Sequence, residues 1–482
     1  MKNHSSNHTA NHYLLVLLVY DSYFDMQVIN NMNRDHLSSI SPLDGRYANK
    51  TKELTNIFSE YGLIRFRVEI EIRWLQMLSK HNDISELANF DNATNKKLNK
   101  IVSDFDIKGA QRVKEIESKT NHDVKAVEYF IGEQFEGNKS INDFLHFGCT
   151  SEDINNLAYA MMLNEARKNV ITPFMHELQS KIKAFANNYA TIPMLSRTHG
   201  QTASPTTVGK EFANVFARLN RLEKQFSVID IYGKFNGAVG NFNAHHIAYP
   251  DCDWPKISSD FINSLQLKPN SLTTQIEPHD WIAETCHSMT RINNIMIDLN
   301  QDIWMYITND LFKLKLMRDE VGSSTMPHKV NPIDFENSEG NLGIANSLLD
   351  FFANKLQKSR MQRDLSDSTV LRNVGLGFGY SSLAISSLNN GLNKLSPNKE
   401  KLLNELDANW EVLTEAVQTI MRYEGIPDAY EQLKSISRGT SIDRKAYKDF
   451  IENLQISSKS KTKLLNLTPA MYTGLATKLA KS

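Results

Sequence analysis

The sequence predicts an all-α protein built on long helices, and three observations carry that prediction. Glycine and proline are scarce, 21 and 13 in 482 residues, where a chain of many short strands needs more of both for its turns. From His279 to Val321 there is neither. Within that interval Ile292, Met296, Leu299, Ile303, Tyr306 and Leu311 recur every three to five residues, the face of a helix long enough for an extended bundle. No segment shows a convincing period-two strand pattern.

Residues 1–31 hold a His/Asn/Ser-rich start and a short apolar run, Tyr13 to Tyr20. That run is too short for a bilayer and lacks the flanks of a signal peptide. It reads as a weakly ordered extension, with Met32 a natural beginning for the folded chain. Ser41-Pro-Leu-Asp-Gly-Arg-Tyr47 is a turn presenting Arg46 and Tyr47. Leu54, Ile57, Tyr61, Ile64, Val68, Ile72 and Leu75 then share one helical face. Helices are expected over about 96–116 and 125–134. Thr150 or Ser151 caps the next, with Glu152 and Asp153 in its first turn, where the helix dipole favours acids. That block runs to Ile182, with Pro173 placed to bend it. Ser204 before Pro205 reads as an N-cap for a helix over about 206–231. Glycines 233, 237 and 240 mark a loop. Further helices are expected near 279–321, 340–359, 369–395, 399–424, 430–433 and 443–454.

Composition excludes several functions. Lys+Arg number 54 against Asp+Glu 55, a net charge of −1, which argues against nucleic acid as the main partner. Cys149, Cys252 and Cys286 are widely spaced without ligand spacing, so neither a zinc site nor a disulfide framework is expected, and a reducing, cytoplasmic location fits.

Chemistry concentrates at polar breaks between helices: Thr120-Asn-His-Asp123, His146 to Asp153, Ser196 to Thr202, Gly322 to Asn331, and Arg360 to Arg372. Singly, each has a plainer reading as a cap, a structural histidine or a solvated charge. Together they supply imidazoles, hydroxyls, a lysine and arginines, which suits acid–base chemistry on an anionic carboxylate or phosphate substrate without a metal.

Gly322-Ser-Ser-Thr-Met-Pro-His-Lys-Val-Asn-Pro332 closely resembles the signature loop of the fumarase/aspartase superfamily. Ser41 to Tyr47, Thr120 to Asp123, His146 to Ile154, Arg197-Thr-His-Gly-Gln201, Thr274-Gln-Ile-Glu-Pro-His279 and Gln362 to Arg372 narrow the resemblance to the adenylosuccinate lyase branch, in its longer bacterial form. It covers residues 32–482.

The resemblance implies a three-domain, all-α fold: an N-terminal domain over 32–141, a central long-helix bundle over 142–394 carrying the signature loop 320–337, and a C-terminal domain over 395–482. It implies a homotetramer whose active sites are shared between subunits, no cofactor and no metal, and nucleotide substrates, adenylosuccinate and SAICAR, with no membrane partner. By carry-over Ser324 is the general base and His199 the general acid. Serine is a poor base unless its alkoxide is stabilised, which backbone N–H groups of a glycine-containing loop and Lys329 can do. Histidine titrates near neutrality, so an imidazolium can protonate a leaving amine. Arg46, Tyr47, Asn121, His122, Asp123, Thr150, Ser151, Gln275, Arg363, Ser368 and Arg372 match substrate-binding positions, and Lys329 and Asn331 match those for the succinyl carboxylate. Val330 stands where another branch has arginine, so no contact is inferred there. Argininosuccinate or fumarate as substrate, or a non-catalytic structural role on the same fold, remain the alternatives. The arginine cluster favours a nucleotide, and retention of Ser324 and His199 favours catalysis.

Overall fold

The computed structural model describes residues 36–315, 326, 329–437 and 442–482. Residues 1–31, Ser324 and most of the signature loop lie outside the described residues. Two compact units divide after Lys52. In the first, the predicted turn forms: Asp44 N–H donates to the Ser41 carbonyl at 3.1 Å and Tyr47 N–H to that of Pro42 at 2.9 Å. The Arg46 guanidinium lies 5.9 Å from the Tyr47 ring centre.

The second unit is helical. Helix α1 spans Glu60–Leu78, α2 Ile107–Thr120, α3 Asp123–Glu133 and α4 Ser151–Ala166. A π turn at Arg167–Ile171 leads into α5, Thr172–Asn188. Pro173 lacks the N–H that would continue the ladder, and the wider turn ahead of it absorbs that loss. Then come α6 (Val208–Ser227), α7 (Asp280–Thr308), α8 (Ile333–Leu356), α9 (Ser366–Leu371) and α10 (Val374–Lys394).

Helix α8 packs along both α7 and α10. Met289, Ile292, Met296 and Ile303 of α7 meet a core that includes Leu342, Leu349 and Phe352 of α8 and Phe378, Ile385 and Leu388 of α10, all at most 1 % exposed. Each such side chain contributes roughly 1.5–3 kcal/mol by leaving water. Polar pins cross this apolar packing. Asn293 Nδ2 donates to Asn346 Oδ1 at 2.9 Å and to Ser381 Oγ at 3.0 Å, and Asn300 Nδ2 to Ser338 Oγ at 2.9 Å. A slipped register would bury those amides unpaired, so they specify alignment. A separate apolar core, with Trp410, Leu413, Val417, Met421, Tyr447 and Ile451, forms among the C-terminal helices.

The structure corrects four expectations. Strands exist: β1 (Pro193–Thr198) pairs antiparallel with β2 (Gln201–Thr207), and two further short pairs join 232–233 to 268–269 and 312–314 to 395–397. Ser204 caps nothing, because it lies within β2; Thr207 is the N-cap of α6 and its hydroxyl accepts from Lys210 N–H at 3.2 Å. Pro205 is tolerated because both strands of a two-stranded sheet are edges. The helix from the 279 region ends at Thr308, where Asp310 takes φ 58° and turns the chain into the strand at 312. The expected 340–359 helix begins earlier, at Ile333, directly after Pro332.

Candidate active site

The first two turns of α4 form the hub of the site. Thr150 is its N-cap, and its N–H donates to Asp153 Oδ2 at 2.8 Å, so the acid three residues on satisfies a backbone donor the helix leaves open. Ser151 opens the helix; both hydroxyl residues are half-buried.

Asp153 is wholly buried, and its other oxygen faces the 233–240 glycine loop. It lies 2.9 Å from Lys234 Nζ, itself 0 % exposed, and accepts from the N–H of Asn236 at 3.0 Å. Lys234 Nζ also donates to the Gly237 carbonyl at 2.9 Å. Gln275 docks on the same loop by donating from Nε2 to the Ala238 carbonyl at 2.8 Å.

Glu152 points the other way. Its Oε2 accepts from Arg363 Nη1 at 2.9 Å. Arg363 Nη2 lies 4.0 Å from Asp367 Oδ1, and that oxygen accepts the Ser368 N–H at 2.7 Å. Burial pushes the Glu152 carboxyl up, against the pull of Arg363.

One turn further, Asn155 Oδ1 accepts from Arg67 Nε at 2.8 Å. Arg67 Nη2 reaches Asp123 Oδ2 at 2.7 Å, where Arg372 Nη2 also donates at 2.9 Å. Burial raises the Asp123 carboxyl, but Arg67 and then Arg372 outweigh it and hold it below the usual range. Asn121 ends α2 in the left-handed region at φ 52°, and His122 caps α3 by accepting Lys125 N–H on Nδ1 at 3.1 Å. Beside the hub, His146 Nδ1 sits 2.6 Å from Glu71 Oε1; burial works against the imidazolium, but the Glu71 charge prevails and raises its pKa.

His199 occupies a different place. Thr198 pairs with Gln201 across a two-residue turn in which His199 and Gly200 have φ 54° and 74°. Two consecutive positive φ values suit a right-twisted hairpin, and histidine tolerates the first better than most side chains. The imidazole is exposed at the tip. The hairpin packs on α6 and on C-terminal elements around 399–413 and 469–480, with Arg197 paired to Glu405. Lys329 is exposed and its N–H donates to the Met326 carbonyl at 3.0 Å; Asn331 is half-buried just before α8. Thus α4 gathers Asp123, Thr150, Ser151, Gln275, Arg363, Ser368 and Arg372, while His199 lies on another set of elements.

Residues 45–345 match the family model described as Lyase, and residues 359–473 match Adenylosuccinate lyase C-terminal. Adenylosuccinate lyase of Legionella pneumophila (strain Corby) is 53 % identical over 449 residues, covering 92 % of this chain and 98 % of the relative. Those of Haemophilus influenzae and Escherichia coli K12 are 52 % and 51 % identical, covering 93 % and 92 % of this chain and 99 % and 98 % of theirs. The chain belongs to the adenylosuccinate lyase family. Among solved structures, fumarate lyase from Mesorhizobium sp. BNC1 superposes with TM-score 0.70 at 17 % identity, covering 90 % of this chain and 96 % of that one. A 3-carboxy-cis,cis-muconate lactonizing enzyme from Pseudomonas putida gives 0.68 at 18 %, covering 89 % and 95 %. Both share the fold of this adenylosuccinate lyase family member.

Sequence reasoning missed Arg67, Lys234 and the partnership of Glu152 and Asp367 with Arg363. A lysine between glycines at 233 and 237 was the available signal for the second; the others pair across most of the chain, where local spacing is silent. No helix among the described residues is long and apolar enough to cross a membrane.

Proposed function

We propose that the chain eliminates fumarate from adenylosuccinate, giving AMP, and likewise from the succinyl-aminoimidazole-carboxamide ribotide SAICAR, giving AICAR. This is carbon–nitrogen lyase chemistry of purine biosynthesis, in the cytoplasm. The observation that carries the reading is 51–53 % identity to adenylosuccinate lyases over 98–99 % of their length.

Ser324 removes the proton from the carbon next to a succinyl carboxylate, which turns that carboxylate into an electron-rich aci-anion. Lys329 and Asn331, on the same loop, stabilise the added charge. The C–N bond then breaks as His199 delivers a proton to the departing exocyclic nitrogen. Arg363 and Arg372 suit the anionic end of a nucleotide, since a guanidinium fork matches phosphate oxygens. Thr150 and Ser151 offer a helix N-terminus to an anion. Arg46, Tyr47, Asn121, His122, Asp123, Gln275 and Ser368 complete the grip.

The enzyme works as a homotetramer with shared sites. Two features support this: His199 and the α4 hub lie on separate sets of elements, and Ile344 and Phe351 leave an apolar stripe on α8, 46 % and 51 % exposed, of the kind a second copy covers. A C-terminal domain beginning at about 395 is supported by the separate core there, whereas one apolar core runs across the boundary proposed at about 141. Adenylosuccinate turnover by the native chain, compared with Ser324→Ala and His199→Ala, tests the assignment. Near-native rates in either variant would overturn that residue's role.

A further inference from the structure

Arg363 and Ser368 both depend on a buried charge cluster that the reaction itself does not use. Glu152, Asp367, His279 and Glu277 are at most 4 % exposed at their side chains. His279 Nδ1 lies 3.5 Å from Glu277 Oε2, which also accepts the His279 N–H at 2.8 Å. His279 Nε2 faces Asp367 Oδ2 at 3.8 Å. Glu152 Oε1, Asp367 Oδ2 and His279 Nε2 are buried without a hydrogen-bond partner, and the three side chains each bring one ligand atom to within 4.8 Å of the others. The remaining oxygens of the two acids serve the site: Glu152 Oε2 holds Arg363, while Asp367 Oδ1 accepts from Ser368 N–H and faces Arg363.

The charges decide what His279 must be. Three carboxylates surround it, and Arg363 supplies only one positive charge. Buried carboxylates stay ionised only when compensated. A protonated imidazole, its Nε2 facing the orphan oxygen of Asp367, provides the second cation. A divalent ion would instead have to sit beside the Arg363 guanidinium and displace the proton from Nε2. Burial opposes the imidazolium, but Asp367 and Glu277 outweigh it and raise the pKa to about 9. His279 reaches this place through a left-handed backbone, φ 61°, ahead of α7, a conformation that L side chains adopt at a cost and that the surroundings must enforce.

We propose that His279 is a positioning residue: as an imidazolium it holds Asp367 and Glu152 in place, and through them aims Arg363 and the Ser368 backbone at an anionic group of the substrate. The proposal rests on the substrate-binding roles given above to Arg363 and Ser368. It explains why a buried ionic cluster, rarely efficient for stability, lies directly behind two binding residues.

Steady-state kinetics of His279→Gln, Arg363→Lys and the native enzyme between pH 7 and 10 test it. Glu152, Asp367, Glu277 and Arg363 are the charged groups facing His279. The native KM for adenylosuccinate should climb above about pH 9, whereas His279→Gln should show a KM raised ~10-fold at pH 7 without that climb and a kcat–pH profile like the native one. Asp367→Asn should raise KM at pH 7 in the same way, which guards against misfolding of one variant. A native KM in His279→Gln while Arg363→Lys is impaired would overturn the positioning role alone. A native KM in Arg363→Lys would overturn the binding role beneath it. Activity lost on dialysis against EDTA and restored by a divalent ion would assign the three atoms to a metal and overturn the imidazolium.

Discussion

Arg372 and Asp123 stand 249 positions apart in the chain, and their side chains meet at 2.9 Å. The carboxylate oxygen they share is also held by Arg67, whose guanidinium is 2 % exposed. Asp123 therefore ties the proposed binding surface to the fold. Arg67 is the buried partner, and Arg372, 37 % exposed, is the accessible one.

Asp123→Asn leaves Arg67 buried without its counter-charge. Thermal unfolding should show a loss of about 2–3 kcal/mol, less than for a fully buried pair because Asp123 is 26 % exposed. Arg372→Ala should cost under about 1 kcal/mol in the same assay, as exposed pairs do, while raising KM. A stability loss in Arg372→Ala equal to that of Asp123→Asn would contradict this division of labour.

Acid should find a second weak point at His245. Its ring is 1 % exposed, packed among Trp74, Phe147, Phe242 and Trp254, with neither nitrogen hydrogen-bonded. Burial depresses its pKa to about 4. Between that value and about 6.5 the unfolded chain binds a proton that the folded chain refuses, so stability falls as pH drops through this window. His245→Leu should flatten the acid limb of a stability–pH curve, and an unchanged limb would count against the assignment.

Gly148 touches the same ring. Its φ is +73°, and a Cβ there would lie 2.4 Å from His245 Nε2. Gly148→Ala should destabilise by about 2 kcal/mol or more, from backbone strain plus a clash that the aromatic cage cannot relieve. Because Gly148 leads into Thr150 and Ser151, its KM should rise as well. Gly200→Ala is the control: φ is +74° but nothing lies within 4 Å, so it should cost only the strain, about 1–2 kcal/mol.

The long helices were legible because their periodicity is local and uninterrupted. The α4 start was legible too, since Thr150 and Asp153 satisfy each other within four residues. The features that escaped were geometry set by two-residue events or by distant partners. His199-Gly200 makes a hairpin only because both take positive φ, and the apolar residues after Asp310 prolonged a helical pattern that one left-handed residue ends. Pairs such as Asp153 with Lys234 or Glu152 with Arg363 join elements whose adjacency no local spacing encodes. The motifs supplied the candidate residues; the buried charges behind them became visible only in the folded chain.

His199 stands at an exposed hairpin tip, so His199→Ala should keep the native unfolding temperature while lowering kcat by ~10²–10⁴. Ser324→Ala should lose kcat comparably. If sites are shared between subunits, mixing and refolding the two inactive variants should restore turnover. Mixtures that stay inactive while forming mixed oligomers would contradict sharing.

Turnover of adenylosuccinate by the purified native chain is the most direct test of the proposed reaction. Fumarate and AMP should appear in equal amounts, monitored by fumarate absorbance and chromatography of the nucleotide. Failure to release them at high enzyme concentration, alongside turnover of argininosuccinate or hydration of fumarate, would contradict it.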